Sequence, residues 1–169
     1  MRRLVGLLAA IGLLLAVAGP VAAQGPERFW TEETVQSFGP EYCGFPVELV
    51  DTFSANKALV FPPDVDGNSR LIASGAIKST VTNLDSEAAT DVILGGKVTV
   101  FFGGDGSVRA VGTGTIFVWY SPAEAAAAET GAGLFLVQGR ATEQYSTEGV
   151  LLEADYTGRL VDLCAELEG

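Results

Sequence analysis

From Pro46 onward the chain is a succession of short β-rich runs with turn chemistry between them, and this texture restricts its fold more than any other feature. "PVELVDTF", "KALVF", "RLIASGAIKSTVTNL", "TDVILGGKVTVFF", "SVRAVGTGTIFVWY", "AGLFLVQGRATEQYS" and "GVLLEADYTGRLVDLC" are dense in Val, Thr, Phe and other strand formers. Between them Asp66-Gly67, Asp105-Gly106 and Gly149 supply residues that tolerate positive φ in a hairpin. Period-two alternation is visible in "KSTVTNL" and "GLFLVQGRATEQY", and no stretch keeps a period near 3.6. The one good helix-forming stretch, "PAEAAAAET" at 122–130, is too short to stand as an isolated helix in water. It is expected to be a loop carrying a single helical turn.

Short connections between such strands make an all-β antiparallel meander, and a meander has two edges to manage. The expected architecture is closure into a small β-barrel, with a β-sandwich as the alternative. Two cysteines bear on this, Cys43 before the first strand and Cys164 after the last. One disulfide between them would need Cα atoms within about 7 Å and would force the start and end of the folded core together. Glycines inside strands (Gly75, Gly95, Gly96, Gly112, Gly114 and Gly139) favour the barrel, because curved strands bend at glycine.

Three segments are expected. Residues 1–23, "MRR" then an apolar run ending "PVAA", have the layout of a secretory signal peptide, with cleavage after Ala23. Residues 24–42 read as an N-terminal arm with a short helical turn at "TEETVQSF", and 43–169 as one β-barrel domain of ordinary size. No further stretch is long and apolar enough to span a membrane as a helix, so the expected mature chain is secreted. Export also favours the oxidised state of Cys43 and Cys164 over redox chemistry, since there is no CxxC pair and no histidine to activate a thiolate.

The charge excludes whole classes of partner. The full chain carries 10 Lys and Arg against 21 Asp and Glu; without Arg2 and Arg3 the balance is 8 − 21 = −13. A surface this acidic repels phosphate backbones and anionic lipid, so neither nucleic acid nor a membrane surface is an expected partner.

The chain has no histidine. A Ser-His-Asp or Cys-His apparatus therefore cannot be assembled, and the usual zinc sites lose their commonest ligand. "DVDGNS" puts Asp64, Asp66 and Asn68 at calcium-loop spacing, but Ser69 stands at the required glycine and Gly75 at the bidentate glutamate, which refutes an EF-hand. Neither "GGDGSVR" nor "GTGTIF" completes a nucleotide-binding fingerprint. Glu153 and Asp155 share one face of a strand, the pattern of a solvated face rather than of a glycosidase pair. No cofactor and no catalytic residue is expected.

What remains is a candidate ligand site. Phe117, Trp119 and Tyr120 end a strand just before the alanine-rich loop and place large rings near one end of the domain. Gln138 and Arg140, like Asn83, interrupt otherwise apolar strands, and one of these could project inward; a buried Arg140 would take Glu153 or Asp155 as its partner. The alternative for Arg140 is a surface cross-strand ion pair.

"CGFPV" behind a leader, "VTNLDS", "GDGSVRAVGTG", "GLFLVQGR" and the terminal "DLC" resemble a group of uncharacterised small secreted all-β proteins of high-GC Gram-positive bacteria. That resemblance covers nearly all of the mature chain and implies export and a small all-β domain. The meander is also similar, in fold alone, to the barrels of allene oxide cyclases and dirigent proteins, whose motifs are not matched. The expected function is an exported, non-enzymatic binding or structural domain that holds an apolar small molecule or meets a cell-envelope component. Two alternatives stand beside it: a histidine-free barrel enzyme that positions a hydrophobic substrate, and a secreted protein-interaction or inhibitor domain.

Overall fold

A computed structural model describes residues 25–168; the expected signal peptide at 1–23 lies outside them. Nine strands form one antiparallel sheet: β1 (Glu27–Trp30), β2 (Val35–Phe38), β3 (Val47–Ser54), β4 (Lys57–Phe61), β5 (Ser69–Asn83), β6 (Ala89–Phe102), β7 (Val108–Tyr120), β8 (Gly133–Tyr145) and β9 (Leu151–Asp162). Three single-turn helices, α1 (Pro40–Cys43), α2 (Ala125–Ala128) and α3 (Leu163–Leu167), sit in the connections and at the end. Among the described residues no helix is long and apolar enough to cross a membrane.

Residues expected to form an arm instead supply two strands. β1 pairs with β4 and β2 with β3, with Glu27 opposite Val60 and Phe38 opposite Val47. The helical turn expected at "TEETVQSF" is replaced by β2, because the open side of β3 offers a ladder to a segment too short to hold a helix alone. Both short pairs are halves of longer strands: β3 and β4 run in line along β5, interrupted at Ala55 and Asn56.

That interruption belongs to a line crossing the whole sheet. Gly75 lies opposite Gly96, Gly96 opposite Gly114, Gly114 opposite Gly139 and Gly139 opposite Gly158. All five have positive φ, between 111° and 154°, which no L side chain adopts comfortably. A Cβ at any of them would fall inside a carbonyl of the neighbouring backbone, that of Ala55 (between β3 and β4), Thr113, Gly95, Thr157 or Gln138 respectively. Five adjacent strands therefore bend at one level with their backbones pressed together.

On one side of this line the seven-strand path is continuous. On the other it divides. β6 pairs with β7 only over residues 95–102 and 108–115, whereas β5 follows β6 out to Ala89 and β8 follows β7 out to Tyr120. Beyond Gly95 and Thr115 the sheet is thus two leaves, β2-β3-β5-β6 and β7-β8-β9.

The split follows from the sequence of β8. Leu134, Phe135, Leu136 and Val137 are all buried, so both faces of this strand require cover, as in a strand at the centre of a layered core. One face meets the opposite leaf: Phe38, Val47, Leu49, Val81 and Val92 pack with Leu134 and Leu136, and with Leu163, Cys164 and Leu167 of α3. The other face, with Val118, Tyr120, Phe135, Val137, Ala141 and Leu151, is covered by α2, so the alanine-rich loop does carry one helical turn, seated by Ala128.

A disulfide, Cys43 to Cys164, ties the two leaves at a Cα separation of 5.1 Å. Its anchors are shaped locally. α1 starts with Pro40 and stops at Gly44 (φ 82°), and α3 is capped by the Asp162 carboxylate, which accepts from the Cys164 and Ala165 amides. Buried Asn83 completes the end: its Nδ2 donates to the Leu167 carbonyl at 3.1 Å and its Oδ1 accepts from Asp85 N at 2.9 Å. Asn83 is therefore the inward polar residue among the three considered, and its role is structural.

The sheet itself is open. Among the described residues no ladder joins β9 to β1 or β2, so the cysteines close the domain covalently and not by completing a barrel of hydrogen bonds.

Candidate functional site

The split leaves a cleft of about 330 Å³ between the leaves, at the level where β6 and β7 lose contact. Thr90, Asp91, Val92 and Ile93 of β6 form one wall; Thr115, Leu136, Gln138, Arg159 and Val161 form the other, and Glu166 of α3 stands at the rim. Val92 and Leu136, buried members of the disulfide-tied core, lie at the base of the cleft, while most of the surface it exposes is polar. Its charged groups are two carboxylates, Asp91 and Glu166, and one guanidinium, Arg159.

The five expected ligand residues are not brought together. Phe117 and Trp119 lie 5.5 Å apart between ring centroids and both meet Phe38 edge-on, at 5.7 and 5.8 Å, while Phe38 also meets Tyr42. These rings pack the disulfide-tied core, with Trp119 38% exposed at its margin. Gln138 reaches the cleft. Arg140 lies beyond the glycine line in a separate depression of about 390 Å³, larger and more enclosed than the cleft, with Arg109, Thr142, Gln144, Glu153, Asp155 and Thr157. It is exposed, which removes the buried-arginine alternative. Directly across from it stand Thr113 and Thr157, with Asp155 one step diagonal.

Tyr120 belongs elsewhere. Consecutive strand residues point to opposite faces, so Tyr120 turns away from Trp119 into the core beneath α2, where it is 1% exposed. There its hydroxyl donates to Glu143 Oε1 and accepts from the Tyr156 hydroxyl, while Tyr145 donates to Glu143 Oε2 at 3.0 Å. Two phenols thus serve one carboxylate directly, and the third reaches it through Tyr120. Burial, reinforced for Tyr120 and Tyr145 by the Glu143 charge, pushes all three tyrosines well above the ordinary phenol range and holds them neutral at physiological pH. None of the four lines the cleft or the depression. The arrangement can satisfy a half-buried carboxylate and relay protons internally, but it offers no ligand a place beside them.

This network is what sequence reasoning missed. Tyr120 and Tyr156 are 36 residues apart, and only the strand register brings them together. The available signal was local: Ala141, Glu143 and Tyr145 fall on one face of β8 at period two, an odd setting for a glutamate beside apolar neighbours.

The loop at 62–68 behaves as a turn. Asp64 Oδ1 accepts from the backbone of Asp66 and Asn68, each at 2.9 Å, and these bonds hold the Asp64 carboxyl below its usual range. Asn68 Oδ1 in turn accepts from Gly104 N at 3.0 Å, pinning this turn to the next hairpin. Among the described residues no group of three or more Cys, Asp or Glu side chains is placed to hold a metal ion.

No family model, no curated protein and no solved structure matches this chain.

Proposed function

We propose that this chain is an exported, non-enzymatic binding domain whose ligand site is the cleft between the two leaves. The observation that carries this reading is the split itself: a β-sheet continuous on one side of the glycine line opens on the other into an open cleft between two leaves, with Val92 and Leu136 at its base and polar groups along its rim. A disulfide then holds the two walls at a fixed spacing. Such a frame pre-forms a site, so little ordering remains to be done when a ligand enters. Export rests on the leader pattern of 1–23 and is in keeping with an oxidised cysteine pair.

The placement of proton-handling groups weighs against the enzymatic alternative. The tyrosine group, Tyr120, Tyr145, Tyr156 and Glu143, lies outside the cleft, mutually satisfied; the acids that do line it, Asp91 and Glu166, stand at its rim with no phenol beside them, and Asp91 already accepts from Thr80 Oγ1 at 2.8 Å. The predicted apolar ligand also changes character. A floor of Val92, Leu136 and Val161 under a rim of Asp91, Gln138, Arg159 and Glu166 suits an elongated molecule with an apolar body and polar groups along it.

The test is amide NMR of the oxidised protein titrated with 1-octanol as an apolar probe. Shifts confined to Val92, Ile93, Leu136, Gln138 and Val161 are expected. Shifts centred on Tyr120 and Glu143, or no response at the cleft, would overturn the assignment.

A further inference from the structure

The cleft has a property that a small apolar pocket would not need: one of its walls is an open strand edge. Residues 89–94 of β6 pair with β5 on one side, and their ladder to β7 ends at Gly95, with no other strand among the described residues taking its place. In an antiparallel strand every second residue turns its N–H and C=O to the same side. This edge of six residues, about 20 Å long, therefore presents a row of donors and acceptors to the cleft. Thr90, Asp91, Val92 and Ile93 border the open cleft, so the edge is reachable from solvent.

From this geometry, and resting on the cleft as the binding site, we infer that the natural occupant is an extended peptide segment of a partner protein that adds to β6 antiparallel, along the course β7 leaves. Main-chain hydrogen bonds to residues 89–94 supply the affinity, and alternate side chains supply the selectivity. Those pointing inward meet Val92, Leu136 and Val161; those at the rim meet Asp91 and Glu166 with Arg159 beyond. Two carboxylates against one guanidinium make the rim net negative, in a chain whose overall balance is already strongly acidic. The complementary segment alternates apolar and basic residues. The glycine line sets the entry point, because the backbone contact of Gly96 with Gly114 is where β7 stops occupying the edge.

The probe is a capped hexapeptide of alternating valine and lysine, titrated into the oxidised full domain. Its control carries the same side chains with every second amide N-methylated. Strand addition is expected to shift the amides of 89–94, to slow exchange of those facing the cleft, and to weaken at least about tenfold with the N-methylated peptide. Glu166→Lys, at an exposed rim position, should weaken the parent peptide by about threefold to tenfold while leaving the fold intact. Equal binding of both peptides would overturn strand addition, since a charge or apolar attraction alone does not need the amides. Absence of peptide binding would overturn it too. 1-octanol then separates the two readings: if the alcohol still shifts the cleft, the binding-domain reading stands without the peptide, and if neither probe does, both fall.

Discussion

Two cores lie back to back across β8, and they are held by different means. The core between the leaves is apolar: Phe38, Val47, Leu49, Val81 and Leu134 close around α3, and a covalent bond pins its rim. The core under α2 contains a carboxylate, Glu143, and is completed by hydrogen bonds from Tyr120 and Tyr145, with Tyr156 behind them. The difference teaches where each device is needed. At the split the two leaves share no ladder, so side-chain packing, the Asn83 to Leu167 hydrogen bond and the Cys43 to Cys164 bridge oppose their separation. Under α2 the strands β7, β8 and β9 are continuously paired, and the protein can accommodate polar groups there provided each finds a partner.

The largest effect should come from the bridge. Replacing both cysteines, Cys43→Ser with Cys164→Ser, removes a closure over 121 residues and should cost up to about 4 kcal/mol in urea denaturation. Amides of the leaf core should lose protection before those of the tyrosine core; simultaneous loss would erase the distinction between the two.

Next is the glycine line. Gly114→Ala puts a Cβ into the Gly95 carbonyl at a φ of 116° and should destabilise by about 3 kcal/mol. Gly95→Ala, one position off the line, meets only the Gly75 carbonyl at 3.6 Å and should cost less than about 1 kcal/mol. Thermal midpoints of the two variants compare them directly, and equal losses would show that the line is not a special locus.

The tyrosine core should respond to pH where the leaf core does not. A phenol whose folded pKa is raised above the unfolded value of 10.0 stabilises fully below that pH and loses its contribution as pH rises further. For Tyr120 alone the loss is about 1.4 kcal/mol per pH unit above 10. Tyr120→Phe should cost about 1–3 kcal/mol at neutral pH, because it strips Glu143 of a donor and Tyr156 of its acceptor, and it should flatten the alkaline decline. Denaturant midpoints between pH 9 and 11 read both effects.

The smallest effect is expected at Arg140. Exposed in the polar depression, it should tolerate Arg140→Ala within about 0.5 kcal/mol and leave cleft binding unchanged. A larger loss would restore the ion-pair role that its sequence context suggested.

How much of this was legible beforehand depended on whether the signal was local. The disulfide was, because a chain with two cysteines has one simple pairing. So was the all-β class, since period-two runs and Asp-Gly turns are written within each strand and hairpin. Gly75, Gly96, Gly114 and Gly139 were visible as strand glycines, but their alignment, and the part of Gly158, depend on register across five strands, which a single sequence does not encode. Gly95 and Gly112 looked the same in sequence and lie off the line at ordinary φ. The aromatic run ending in Trp119 and Tyr120 looked like one cluster because it is one stretch; alternation sends its last two rings to different cores. The open edge of β6 had no local signature, as residues 89–94 and 97–102 are equally strand-like and only the second group keeps its partner in β7.

Amide hydrogen exchange of the oxidised protein, resolved residue by residue, is the most direct test of a sheet that divides at the glycine line. Cleft-facing amides in 89–94 should exchange rapidly while their alternates, bonded to β5, stay protected, and residues 97–102 should be protected on both sides. Uniform protection through 89–94 and 116–120 would mean that β6 and β7 stay paired to their ends, and that there is no cleft between leaves to bind anything.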